Sequence, residues 1–216
     1  MNRIPIRFGL LAVLLVTLFS GCQTAYYDMM ETFGIEKRDL LKKAVTRARD
    51  EQKEAGEEFK DALTRLQQAY GGTGTDLEKT YSKLKSSLER CESEAADVKK
   101  RIKDMDRVAS DLFAEWEGEI GRFSNPTFAS DSRQKLFDTR SKYQQLSASL
   151  RSAEAKMEPV LRSFQENVLY LKHNLNAAAI GSLHGEASRI ETQIQALISE
   201  MNSSISEADA FIKTLN

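Results

Sequence analysis

The 216-residue chain has only two cysteines, two histidines, three prolines and one tryptophan, and each scarcity closes off something. Two cysteines cannot staple a loop-rich secreted domain. The two histidines, His173 and His184, form no Cys/His cluster that would complete a four-ligand metal set, so no metal is expected. Pro5 stands near the start, which leaves Pro126 and Pro159 as the only prolines in the body of the chain. Clusters of β-branched residues are few, and helix formers such as Ala, Leu, Glu, Lys, Gln and Arg are abundant, which favours helix throughout.

Other absences concern chemistry. There is no G-x-S-x-G elbow. Gly71-Gly72-Thr73-Gly74-Thr75 is glycine-rich and precedes a helical stretch, but the next lysine is Lys79 and no strand leads into the loop. It therefore lacks the lysine and the strand of a phosphate-binding loop and reads as a flexible hairpin turn. Lys and Arg total 31 against 32 Asp and Glu, evenly mixed, so no basic stripe offers itself to nucleic acid. Acid groups such as Glu115, Glu117 and Glu119 occur as on any charged helix. General acid–base work needs a cleft that shifts their pKa, and a narrow helical body offers little of one. No catalytic residue and no cofactor is expected, and the chain is not expected to be an enzyme.

One long apolar run exists. Arg3 and Arg7 precede Phe8–Phe19, FGLLAVLLVTLF, and Ser20-Gly21-Cys22 follows. The run is far short of the ~20 residues that cross a bilayer as a helix, and the layout is that of a secretory signal peptide. Leu18-Phe19-Ser20-Gly21-Cys22 resembles a bacterial lipobox, with Phe19 where that motif usually has Leu. Residues 1–21 are therefore expected to be cleaved. Cys22 is expected to carry palmitate-type acyl chains, each buried CH₂ contributing about 0.8 kcal/mol to membrane attachment. Gln23, where Asp would favour retention at the inner membrane, points to the outer membrane with the body facing the periplasm. Residues 22–35 would be the lipid anchor and tether. In that oxidising compartment Cys91 has no intramolecular partner. It is either a buried thiol or half of an inter-chain disulfide.

The remainder, 36–216, reads as one helical, coiled-coil-like domain with helices at about 36–70, 75–123, 127–180 and 186–215. The clearest pattern is Leu77, Tyr81, Leu84, Leu88, Cys91, Ala95, Val98, Ile102, Met105, Ala109, Leu112 and Trp116, whose steps alternate four and three over about six heptads. Thr75 and Glu78 make a capping-box pattern at its start. In the first helix Leu41, Val45, Ala48, Gln52, Ala55, Phe59, Ala62 or Leu63, and Leu66 make the stripe; Gln52 interrupts it, either fixing register or marking a slightly rotated stripe. The third carries Leu136, Tyr143, Leu146, Leu150, Ala153, Met157, Val160, Phe164, Val168, Leu171, Leu175 and Ala178, and Pro159 should kink or divide it. Gly181-Ser182-Leu183-His184-Gly185 is expected to turn the chain. The fourth carries Ala187, Ile190, Ile194, Leu197, Met201, Ile205, Ala208, Ile212 and Leu215. Short loops between long helices make antiparallel neighbours, so the expected fold is all-α: an elongated antiparallel helical bundle or coiled coil of about four long, overhanging helices.

Four stretches carry a resemblance to a known family: AYYDMMETFGIEKRDLL (Ala25–Leu41), ARDEQKEAGEEFKDAL (Ala48–Leu63), MEPVLRSFQENVLYLKHNLNAAAIGSL (Met157–Leu183) and ISEADAFIK (Ile205–Lys213). The chain resembles the DUF2959 family of bacterial exported proteins. The resemblance implies a helical envelope protein, often lipidated, and brings no established activity.

Within 157–183, Asn167, His173 and Asn174 are polar groups that a buried packing surface would have to pair, and they form the candidate interaction surface. The leading expectation is a lipid-anchored, non-enzymatic periplasmic scaffold, spacer or adaptor, with the membrane as one partner and a second copy or another envelope protein as the other. The alternative is a membrane-remodelling or pore-forming protein that opens a helical hairpin, against which the charges of the 157–183 segment argue.

Overall fold

In the computed structural model, residues 37–71, 76–174 and 177–215 are described. They form four helices with no strand among them: α1 (Lys37–Gly71), α2 (Leu77–Ile120), α3 (Pro126–His173) and α4 (Ala177–Thr214). Leu41–Asn216 make one compact unit, and the first four residues of α1 group with the N-terminal unit. The expected signal peptide, Cys22, the expected tether and the 72–75 part of the glycine loop lie outside the described residues.

Alternating steps of four and three place one stripe of each helix on a common axis. In α1 the buried positions are 41, 45, 48, 52, 55, 59, 62 and 66, and in α4 they are 190, 194, 197, 201, 204, 208, 211 and 215. The stripes of α2 and α3 close the core with Leu84, Leu88, Cys91, Val98, Ile102 and Met105, and with Tyr143, Leu146, Leu150, Ala153, Met157 and Val160. Each fully buried Leu, Ile or Phe contributes about 1.5–3 kcal/mol.

Polar contacts on the flanks set the arrangement. Glu51 accepts from Arg101 (2.9 Å) and Glu58 from Arg90 (2.7 Å), which makes α1 and α2 antiparallel. Trp116 Nε1 donates to Ser132 (2.9 Å) and Tyr143 to Asp106 (2.5 Å) across α2 and α3. Ser152 (2.7 Å) and Lys156 (2.5 Å) donate to Glu200 across α3 and α4. Arg49–Asp209 (2.6 Å) and Gln67–Glu191 (2.9 Å) return α4 to α1. Each helix thus lies between its neighbours in an up-down-up-down four-helix bundle.

Several local expectations are corrected. The N-cap of α2 is Asp76, which accepts from Lys79 N at 2.9 Å; Thr75 of the expected capping box lies outside the described residues. Asn125 caps α3 by accepting from Thr127 N (2.9 Å), and Pro126 takes the first turn, where its missing N–H and fixed φ cost nothing. Pro159 does not divide α3, which runs unbroken from Pro126 to His173; Pro159 and Ala155 are both exposed, so water can meet the carbonyl that the ring leaves unbonded.

The turn expected at 181–185 is also displaced. Asn174 ends α3, its N–H donating to Leu171 O at 3.2 Å, and α4 has begun by Ala177. Ala177-Ala178-Ala179-Ile180 carries the helix through Gly181 and Gly185, each costing about 1 kcal/mol relative to alanine. In α4 Ser204 and Phe211 take the buried stripe positions expected for Ile205 and Ile212, which are half-buried beside them. In α2, Phe113 is buried and Leu112 packs at the edge.

Candidate functional site

The three polar residues picked from the 157–183 segment do not share a surface. Asn167 is buried, and its Nδ2 donates to Ser163 O one turn back at 2.8 Å. The buried face of α3 widens here to take Ser163, Phe164, Asn167, Val168 and Leu171, and back-bonding satisfies the amide inside it. Asn167 therefore cannot serve as part of an exposed interaction surface. His173 is exposed in the last turn of α3. Asn174 is half-buried, and its Nδ2 donates to Tyr170 O at 3.0 Å. Leu169 and Tyr170 are exposed beside them.

Cys91 is fully buried on the α2 stripe. Burial pushes its thiol up to about 12, with the Glu58 carboxylate adding to the shift. Of the two expectations for Cys91, this burial favours a small buried hydrophobe. Glu117 accepts from Arg140 at 3.1 Å, and Glu119 is exposed. Tyr81 packs against the core. Cys22 and the side chain of His184 lie outside the described residues.

Three polar clusters were not singled out from the sequence. The first sits in the core. Gln52 Nε2 donates to Leu150 O of α3 at 3.0 Å, and Gln52 Oε1 accepts from Ser204 Oγ of α4. Ser204 Oγ also reaches Met201 O at 2.9 Å, and the layer ties α1 to α3 and α4.

The second joins α2 to α3. Asp106 accepts from Tyr143 Oη (2.5 Å), Ser147 Oγ (2.9 Å) and Arg151 Nη2. Burial, then the hydrogen bond to Asp106, raise the Tyr143 pKa above its ordinary value, so the phenol stays a donor. Its ring meets Phe113 and Phe211 edge-on at centroid distances of 5.6 and 5.9 Å, a favourable aromatic geometry.

The third is an open groove of about 600 Å³ along α1 and α2, lined by Asp50, Lys53, Glu54, Glu57, Glu58, Asp61 and Glu94. Oxygens of Glu51, Glu54 and Glu94 lie within 4.8 Å of one another. Oxygen ligands suit a hard cation, but Glu51 is already engaged by Arg101 and Glu58 by Arg90. Burial first, and then the charges of Glu51 and Glu54, push the Glu94 pKa up. A proton on Glu94 relieves this repulsion.

A further exposed feature is the α2–α3 turn, where Phe123 is 47% and Phe128 61% exposed. Among the described residues no helix is long and apolar enough to cross a membrane.

The fold defines an all-α protein, an antiparallel helical bundle. The chain belongs to the DUF2959 family, described as a protein of unknown function, whose family model matches residues 26–215. No curated protein and no solved structure matches the chain.

Proposed function

We propose that this protein is a lipid-anchored component of the bacterial envelope that acts without catalysis, as a periplasmic scaffold, spacer or adaptor. The observation that carries the reading is the run from Arg3 to Cys22: charged start, short apolar core, then Ser20-Gly21-Cys22. Two properties of the bundle support it. Its buried polar groups Gln52, Ser204 and Asn167 are spent on one another and on backbone carbonyls. Its strongly shifted groups, Cys91 and Tyr143, are both held protonated by burial, whereas a catalytic base or nucleophile needs a pKa near the working pH.

A partner is tested by photo-crosslinking in living cells, with the reactive group at Thr73 in the glycine loop and, separately, at His173 at the exposed end of α3. A reproducible adduct with an envelope protein, or with a second copy, is the expected result. No adduct at either position contradicts the scaffold reading.

A further inference from the structure

We infer that the turn joining α2 to α3, with Phe123 and Phe128, rests in the headgroup layer of the membrane to which the lipid on Cys22 would tether the chain. The inference rests on the lipid-anchor reading and adds an orientation to it: the bundle stands on this turn.

The first support is position within the compact unit. The Glu51–Arg101 and Glu58–Arg90 pairs set Leu41, where the chain enters the unit, level with about residue 109 of α2. The helix continues from there to Ile120 before the turn, so the turn lies about 20 Å beyond Leu41 at ~1.5 Å per residue. The Tyr143–Phe211 contact sets the end of α4 level with about residue 139 of α3, and α3 begins at Pro126, so the hairpin also runs past α4 by about 20 Å. The turn is therefore the farthest point of the α2–α3 hairpin on the side from which the chain arrives.

The second support is the length of chain outside the described residues. Cys22 and Lys37, where α1 begins, are 15 positions apart. Such a segment spans about 22 Å as a helix and about 50 Å fully extended. Either form reaches past the 20 Å overhang. A lipid on Cys22 and the α2–α3 turn can thus meet one membrane plane, whereas the far end of α3 is about 70 Å away at 1.5 Å per residue.

The third support is chemistry. Ile120 to Ser130, IGRFSNPTFAS, holds a single charge, Arg122, and no acid. Residues 121–128 are all exposed, and two are phenyls. Glu119 and Asp131 flank the segment, so it is the phenyls, and not net charge, that suit the boundary between acyl chains and headgroups. Two half-exposed phenyls bind a bilayer weakly on their own, so the contact depends on the high local concentration that a tether supplies.

The test supplies that tether chemically. The chain from Cys22 onward is coupled through the Cys22 thiol to a maleimide lipid in vesicles of phosphatidylethanolamine and phosphatidylglycerol; buried Cys91 does not compete. In a W116F background one tryptophan is introduced as F123W, F128W or H173W, and vesicles with acyl chains brominated near the headgroup quench any ring in that layer. The expected result is loss of most emission for F123W and F128W with a blue shift, and unchanged emission for H173W. Unquenched emission at both turn positions, or equal quenching at all three, overturns the inference. Because the tether is synthetic, the outcome does not depend on whether Cys22 is acylated in cells. Failure of acylation there would sink the anchor reading by itself.

Discussion

Gln52 of α1 and Ser204 of α4 are hydrogen-bonded to each other at 0% exposure, inside a core whose other stripe positions on those two helices are apolar. The amide also reaches across to the Leu150 carbonyl of α3. A layer of this kind penalises any slip of one helix against another, because a slip buries the amide against hydrocarbon.

Replacing Gln52 separates packing from specificity. Q52A leaves a cavity and removes the hydrogen bonds to Leu150 O and Ser204, whose hydroxyl keeps Met201 O as a partner, and should cost about 2–4 kcal/mol. Q52L fills the space with apolar atoms and should recover most of that loss, as buried polar groups often exchange for hydrophobes at little cost. Urea unfolding of the three proteins measures both. Equal destabilisation by both variants would mean that the hydrogen bonds, and not the filled volume, carry the stability.

Cys91 should resist thiol reagents in the folded protein and react fully in denaturant. Its pH behaviour follows from the raised pKa. An acid whose folded pKa lies above its unfolded value contributes stability that is complete below the unfolded pKa and is lost as pH rises through the folded one. Stability should therefore decline from about pH 8.5, the ordinary thiol value, towards 12. C91A should lose that part of the alkaline slope. Rapid labelling of the native thiol, or covalent dimers on mild oxidation, would contradict the buried assignment.

Glu94 gives the same sign at lower pH. Its pKa is raised by burial and by Glu51 and Glu54, so ionising it costs the folded state stability. E94Q should melt higher than the parent at pH 8, and the two curves should converge as pH falls through the carboxylate range. A lower melting temperature for E94Q at pH 8 would show that the carboxylate has a stabilising partner, a cation included.

Gly56 sits inside α1 and faces α4. A Cβ added there would meet Met201 Sδ at 3.7 Å, an ordinary van der Waals contact. G56A should therefore stabilise the bundle by about 0.8–1 kcal/mol through helix propensity. Destabilisation in urea would show that α1 and α4 pack closer at this point.

The helices were legible because apolar residues alone trace most of each stripe. Legibility failed where a stripe position is polar and its neighbour is apolar. Counting four and three from Met201 reaches Ser204 and then Phe211, but Ile205 and Ile212, one residue on, are the more hydrophobic choices that a pattern of apolar residues selects. Gly181 and Gly185 resembled a turn, yet Asn174 ends the helix earlier and the alanines behind it restart one. Spacing marks Asn167 as a polar group on an apolar segment that needs a partner, but it cannot show that the partner is the Ser163 carbonyl one turn back in its own helix. The Asp106 cluster could not be read from spacing at all. Its donors lie 37, 41 and 45 positions away, so only the pairing of α2 with α3 brings them together.

The most direct test of the central claim is acyl labelling in the native host. Cells are grown with an alkyne-bearing fatty acid, and the protein is recovered from separated inner and outer membranes. The account predicts label on the wild-type chain, in the outer-membrane fraction, and none on C22A, which should accumulate unprocessed or leave the membrane. An unlabelled wild-type chain, or label retained on C22A, would contradict it.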